Sequence, residues 1–274
     1  MKSTFNSRWG FLKYYFSRNH LLWESLSIED KNLVLKNNVI KNNMIYFDSE
    51  KYDLNHGHLG DPTLTLRGKK LMDFVEEEKP EAVLELGPAQ GYYTDTLFSS
   101  GSIKKYVGVD IVPGFIEFLK RKYQKHIKNK TFDIQLWNCD GLEYMRSQPS
   151  GSFDLVLCYS CLHHIPDRLN WIQEASRIIK LDGSIYGFDP THYLWRYRNL
   201  VRRYAHIIWK GFKHRIGNGN PCTHHFLTLS ELKYWESNSD LILREITFYC
   251  KKRRIPSWCR YLSNECCYLL KQKI

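Results

Sequence analysis

Apolar positions along this chain follow two periods, and the two alternate. From Ala82 onward, short unbroken apolar runs are separated by stretches that are apolar only at every third or fourth position. The runs at 82–86, 105–109, 132–137, 153–158 and 184–188 predict strands, and the stretches at 92–99, 114–124, 141–147 and 168–180 predict helices. An unbroken apolar run belongs to a strand covered on both faces, which is the condition of a parallel sheet. Strands separated by helices of this length form βαβ units, and right-handed crossovers bring the strand ends to one shared edge. A helix at 229–237, a strand at 241–249 and a short last strand at 264–271 follow. Ahead of the first run, 63–78 reads as a helix with Leu64, Leu71, Phe74 and Val75 apolar, ended by Pro80. The expected architecture is a seven-stranded, mostly parallel α/β sheet with helices on both faces.

Two stretches fall outside this rhythm. Residues 1–64 hold an aromatic cluster (Phe11, Leu12, Tyr14, Tyr15, Phe16), a Lys- and Asn-rich segment and the loop-like His56-Gly57-His58. They are expected to form a helical cap ahead of one domain spanning 65–274. Between Asp189 and Leu229, where a short loop would serve, some forty residues intervene. The insertion 190–226 has no Asp or Glu, and its central part is amphipathic. Tyr193, Tyr197, Leu200, Val201, Tyr204, Ile207 and Ile208 share one helical face; Arg196, Arg198, Arg202, Arg203, Lys210 and Lys213 share the other, with Trp195 and Trp209 among them. A packed helix with a solvated basic face, a substrate lid, a membrane-surface helix and an RNA-facing patch all fit this pattern. The expectation adopted is a lid over 191–215 that also recruits the acceptor.

Candidate chemistry lies where the strands end. The run Val83-Leu84-Glu85-Leu86 leads into Gly87-Pro88-Ala89-Gln90-Gly91, a tight turn where backbone can approach a ligand. This loop departs from the G-x-G-x-x-G dinucleotide fingerprint, because Tyr92 follows Gly91 and Ala89 replaces a glycine. The second run ends in Asp110, positioned to accept hydrogen bonds from ribose hydroxyls. The third ends at Asp140-Gly141-Leu142, where the acid can accept from an exocyclic adenine amine or cap the next helix. The fourth runs into Tyr159, Ser160, Cys161, Leu162, His163 and His164, a polar-aromatic loop on the same edge.

In this order the four features resemble class I S-adenosylmethionine-dependent methyltransferases of the type-11 group. Glu85 to Gly91 matches the first motif with Ala89 for its middle glycine, Val107 to Asp110 the second, Asp140 to Leu142 the third, and Phe153 to Val156 with Leu162 to Ile165 the fourth. The segment from Glu174 to Gly183 and the stretch Leu227 to Leu232 extend the likeness, which covers about residues 65–250. The resemblance implies a Rossmann-like sheet and S-adenosylmethionine as cofactor. It implies that Gly87, Ala89 and Gly91 pack on the methionine part, with Glu85 near its amino group. Asp110 would then hold the ribose, and Asp140, Gly141 and Leu142 the adenine. Tyr159 is added as a further cofactor contact, and His163 and His164 as candidate bases, since imidazole titrates near neutrality.

Composition refines this picture in three ways. A formal net charge of +11 favours anionic partners, which keeps an RNA methyltransferase open beside a small or lipid-like acceptor, and a catalytically silent cofactor-binding module beside both. The eight cysteines show no disulfide framework, and Cys158-x-x-Cys161 lacks a regular second pair, so no metal site is expected. Charges are spread through the first 23 residues and no apolar run spans a bilayer, which points to the cytoplasm, with peripheral membrane contact through the insertion.

Overall fold

A computed structural model of the protein describes residues 65–129, 131–162, 165, 168–191, 227, 229–250, 253–256 and 265–273. The cap at 1–64, His163, His164 and the insertion beyond Thr191 lie outside the described residues.

The first helix, α1 (Leu66–Glu78), begins where the Thr65 side chain caps it by accepting from the Gly68 amide, and ends at Lys79 in the left-handed region. Strands β1 (Ala82–Leu86), β2 (Lys105–Asp110), β3 (Asp133–Asn138), β4 (Phe153–Tyr159) and β5 (Ile179–Pro190) then alternate with helices. The helices are α2 (Thr94–Ser99), α3 (Pro113–Lys122), α4 (Gln124–Asn129), α5 (Gly141–Ser147) and α6 (Arg168–Ile178). Helix α7 (Leu229–Ser237) precedes β6 (Leu241–Cys250), β7 (Arg253–Ile255) and β8 (Glu265–Gln272).

Together the strands form one sheet in the order β3-β2-β1-β4-β5-β8-β6-β7. The first five are parallel, as the unbroken apolar runs require. The last long strand in sequence, β8, slots antiparallel between β5 and β6. The seven long strands are those expected; β7 adds three residues on the edge. Strand β5 starts earlier than its apolar core, because Ile179 already pairs with Phe153 before the register shifts at Leu155.

Alternation along the buried strands divides the core between the two faces. On one face Leu71, Phe74, Val75 and Leu97 from α1 and α2 cover Val83, Tyr106, Leu155, Leu157 and Tyr159. On the other, Met145, Trp171, Ile172 and Trp235 from α5, α6 and α7 cover Leu84, Val107, Val156 and Ile185. Arg168 of α6 and Glu231 of α7 form an ion pair at 2.6 Å, with their side chains 4% and 2% exposed. A pair so dry is held together firmly, because removing either partner strands a charge in the interior.

Candidate active site

The carboxyl ends of β1, β2, β4 and β5 share one edge, and the loop from Gly87 to Gly91 forms its centre. Gly87, Ala89 and Gly91 have φ of 67°, 50° and 70°, so the loop needs the left-handed region three times in five residues. Asp110, at the end of β2, fixes this turn. Its Oδ2 accepts from the Ala89 amide at 3.0 Å and its Oδ1 from the Val112 amide at 2.9 Å. Burial pushes the Asp110 carboxyl up to about 6, against these amide bonds, which favour the charged form.

Glu85 lies one strand position before Leu86 on the face covered by α1 and α2. Its Oε2 accepts from the Thr94 hydroxyl at 2.6 Å and from the Tyr106 phenol at 2.7 Å. The phenol lies over Gly108, where an added Cβ would stand 2.9 Å from the Tyr106 oxygen. A side chain in place of Gly108 would therefore block that bond. Burial raises the Glu85 carboxyl to about 7 despite both hydroxyl donors.

Asp140 caps α5: Oδ1 accepts from the Leu142 amide at 2.8 Å and the Glu143 amide at 3.3 Å. Of the two readings open for this acid, the cap is present, and it engages the Leu142 amide. Gly141 opens the helix against Leu86, whose Cδ2 would stand 2.9 Å from an added Cβ.

Cys161 shows what this edge is like electrostatically. An added Cβ on Gly87 would meet the Cys161 sulfur at 3.1 Å, so the thiol lies against the glycine loop. Burial and then the negative charges of Asp189, Asp110, Asp140 and Glu85 hold this thiol well above its ordinary range. Acids of β1, β2, β5 and the loop after β3 thus all act on one thiol beside the glycine loop, in a protein whose net charge is +11. Such a crevice favours a cationic ligand.

Tyr159 is not part of this group. Its ring lies on the opposite face of β4 from Cys158, edge-on to Tyr93 at 4.7 Å, and its hydroxyl donates to the Arg67 carbonyl at 3.2 Å. It borders a second cluster that the sequence did not announce. Arg67, from the first turn of α1, donates to Ser160 and to Glu265 of β8, and its guanidinium stands 4.9 Å from the centroid of the Phe188 ring. Ser160 itself has a φ of 54°, directly after β4. Arg67, Tyr93, Ser160, Phe188 and Glu265 come from five distant points of the chain, and no local spacing connects them. Among the described residues, no group of three or more His, Cys, Asp or Glu could hold a metal ion.

A doubly covered parallel sheet in this strand order, with a glycine loop after β1 and an acid at the end of β2, is the Rossmann-like fold of class I S-adenosylmethionine-dependent methyltransferases. Residues 84–187 match the methyltransferase domain family. Among curated relatives, the ubiquinone biosynthesis O-methyltransferase of Coxiella burnetii is 24% identical over 180 residues, covering 64% of this chain and 71% of that protein. The protein of the same description from Histophilus somni is 24% identical over 170 residues, covering 61% and 67%. Two solved structures share the fold. The N-methyltransferase NodS from Bradyrhizobium japonicum, in complex with S-adenosyl-L-homocysteine, aligns with TM-score 0.54 and 12% identity over 85% of this chain and all of that one. The [4+2]-cyclase SpnF aligns with TM-score 0.60 and 9% identity over 86% and 97%.

Proposed function

We infer that this chain methylates a hydroxyl group of a small or lipid-like acceptor. The observation that carries the reading is the left-handed glycine loop after β1 held through its Ala89 amide by Asp110 at the end of β2, with Cys161 against the loop under the field of Asp189, Asp110, Asp140 and Glu85. When bound, S-adenosylmethionine supplies an electrophilic methyl group on a sulfonium, and it carries a second positive charge on its amino group. An acidic edge fits both charges. In this reading Asp110 accepts from the ribose hydroxyls while keeping Ala89 in place, Glu85 serves the ammonium side, and Asp140 with Gly141 and Leu142 borders the adenine. The loop Gly87, Ala89 and Gly91 lets backbone lie close to the methionine part.

The protein's part in the reaction is then alignment and dryness: a held donor faces a held acceptor with water excluded. An acceptor hydroxyl must also lose a proton, and His163 and His164, which follow β4 in the sequence, are proposed to take it. Oxygen as the target, and a small acceptor, are supported by the curated relatives, whose descriptions name O-methyltransferases of ubiquinone biosynthesis.

The test is incubation of the purified protein with methyl-labelled S-adenosylmethionine and separated lipid, small-molecule, RNA and protein pools of a cell extract. Label in the lipid or small-molecule pool, stable to base as an ether is, supports the reading. Label in the RNA pool instead would replace it, and cofactor binding with no label anywhere would make the chain a silent binding module.

A further inference from the structure

The glycine loop is held from a side that no cofactor contact explains. Lys122, the last residue of α3, directs its ammonium at three acceptors. These are the Gln90 carbonyl at 3.2 Å, the Gly91 carbonyl at 3.1 Å and Asp95 Oδ2 at 2.6 Å. An ammonium has three donors, so this set is complete. The next residue, Tyr123, adds its hydroxyl at 2.8 Å from Asp95 Oδ1 and 3.3 Å from the Gly91 carbonyl. Burial and the neighbouring Asp95 push that phenol well above its ordinary range, so it remains a donor at every working pH.

The fit is close. An added Cβ on Gly91 would stand 2.5 Å from the Tyr123 oxygen and 2.7 Å from Leu119 Cδ2. Gly91 is therefore glycine for two reasons, its φ of 70° and the side chains of α3 pressed against it. Asp95 joins the arrangement to the first turn of α2, where an acid also suits the helix dipole.

We propose that Lys122 and Tyr123 are positioning residues for the cofactor loop: from behind, they fix the Gln90 and Gly91 carbonyls while Asp110 fixes the Ala89 amide from the front. With peptide groups on both sides tethered, a loop with three left-handed residues is held in its binding geometry before the cofactor arrives. The entropy of ordering it is met by folding and does not weaken binding. An exposed lysine that merely paired with one carboxylate would contribute little. Lys120 is such a residue, bonded at 2.9 Å only to Glu117 one turn back, and it serves as the control.

The experiment titrates S-adenosyl-L-homocysteine into wild type, Lys122→Met, Tyr123→Phe and Lys120→Met by calorimetry, with hydrogen exchange of residues 86–94 followed in the unliganded proteins. Loss of the charged hydrogen bonds should weaken the ligand about tenfold in Lys122→Met, and less in Tyr123→Phe, which keeps the ring. Lys120→Met should bind as wild type, and the gap should persist at high salt, where a mere field effect would shrink. Exchange at 86–94 should quicken in Lys122→Met alone of the two lysine variants, with the melting temperature nearly unchanged. Equal affinity in Lys122→Met and wild type, or equal losses in Lys122→Met and Lys120→Met, would overturn the proposal. Should wild type itself fail to bind, the cofactor assignment falls, and unchanged exchange in Lys122→Met would then overturn the clamp separately.

Discussion

Glu85 is buried near the carboxyl end of β1 at a cost in stability, and that cost can be measured. Its carboxyl titrates at about 7 in the folded protein against an ordinary 4.5, because burial disfavours the charge more than Thr94 and Tyr106 favour it. A folded-state value above the unfolded one means that protons favour the native state. The stabilisation is fully present below pH 4.5 and is lost as pH rises through 7. Integrated between pH 5 and pH 8, the linkage is worth on the order of 2–3 kcal/mol. Glu85→Gln keeps an oxygen for the two hydroxyl donors and removes the titration. Its stability relative to wild type should therefore improve by about that amount from pH 5 to pH 8. Asp110 titrates in the same direction, but it does so in both proteins and cancels in the difference. Urea unfolding of the two proteins at half-unit pH steps reads the effect. Parallel stability curves across that range would show that Glu85 is already charged in the folded state, and the reasoning about its burial would fail. The same variant should bind S-adenosyl-L-homocysteine more weakly at pH 8, which distinguishes a functional acid from an accident of packing.

Two further outcomes follow from the geometry. Arg168→Met removes the guanidinium paired with Glu231 in a dry interior and should cost about 3–5 kcal/mol, read as a large fall in the urea midpoint; a change under about 1 kcal/mol would mean that the charge of Glu231 is met without Arg168. Ala89→Gly should be neutral or raise the melting temperature, since a left-handed alanine costs ~1 kcal/mol that glycine does not; a clear fall would contradict the observed φ of 50°.

The parallel sheet was legible because burial on both faces writes itself as unbroken apolar runs, and α5 and α7 have the expected bounds. The glycine loop and Asp110 were legible because they end such runs. Asp140 could be read two ways, and its cap was one of them. The position of β8 between β5 and β6 was not legible, since strand order among antiparallel neighbours depends on pairing and not on local pattern. Arg67 was missed because its partners Ser160, Phe188 and Glu265 lie roughly one hundred to two hundred residues away. Lys122 was missed for a different reason. It closes the basic run Lys120-Arg121-Lys122, which reads as an ordinary solvated helix end until the loop carbonyls are seen above it.

We propose that the strand edge centred on the glycine loop and Asp110 binds S-adenosylmethionine. Calorimetric titration of S-adenosyl-L-homocysteine into wild type and Asp110→Ala puts this binding site to the test. Wild type should bind one equivalent, with affinity falling as pH drops through about 6, where Asp110 takes up its proton. Asp110→Ala, folded by circular dichroism, should bind at least about tenfold more weakly, the loss expected for a charge-assisted hydrogen bond. Wild-type affinity in the folded variant, or no binding by wild type at any pH, would rule out this edge as the S-adenosylmethionine site.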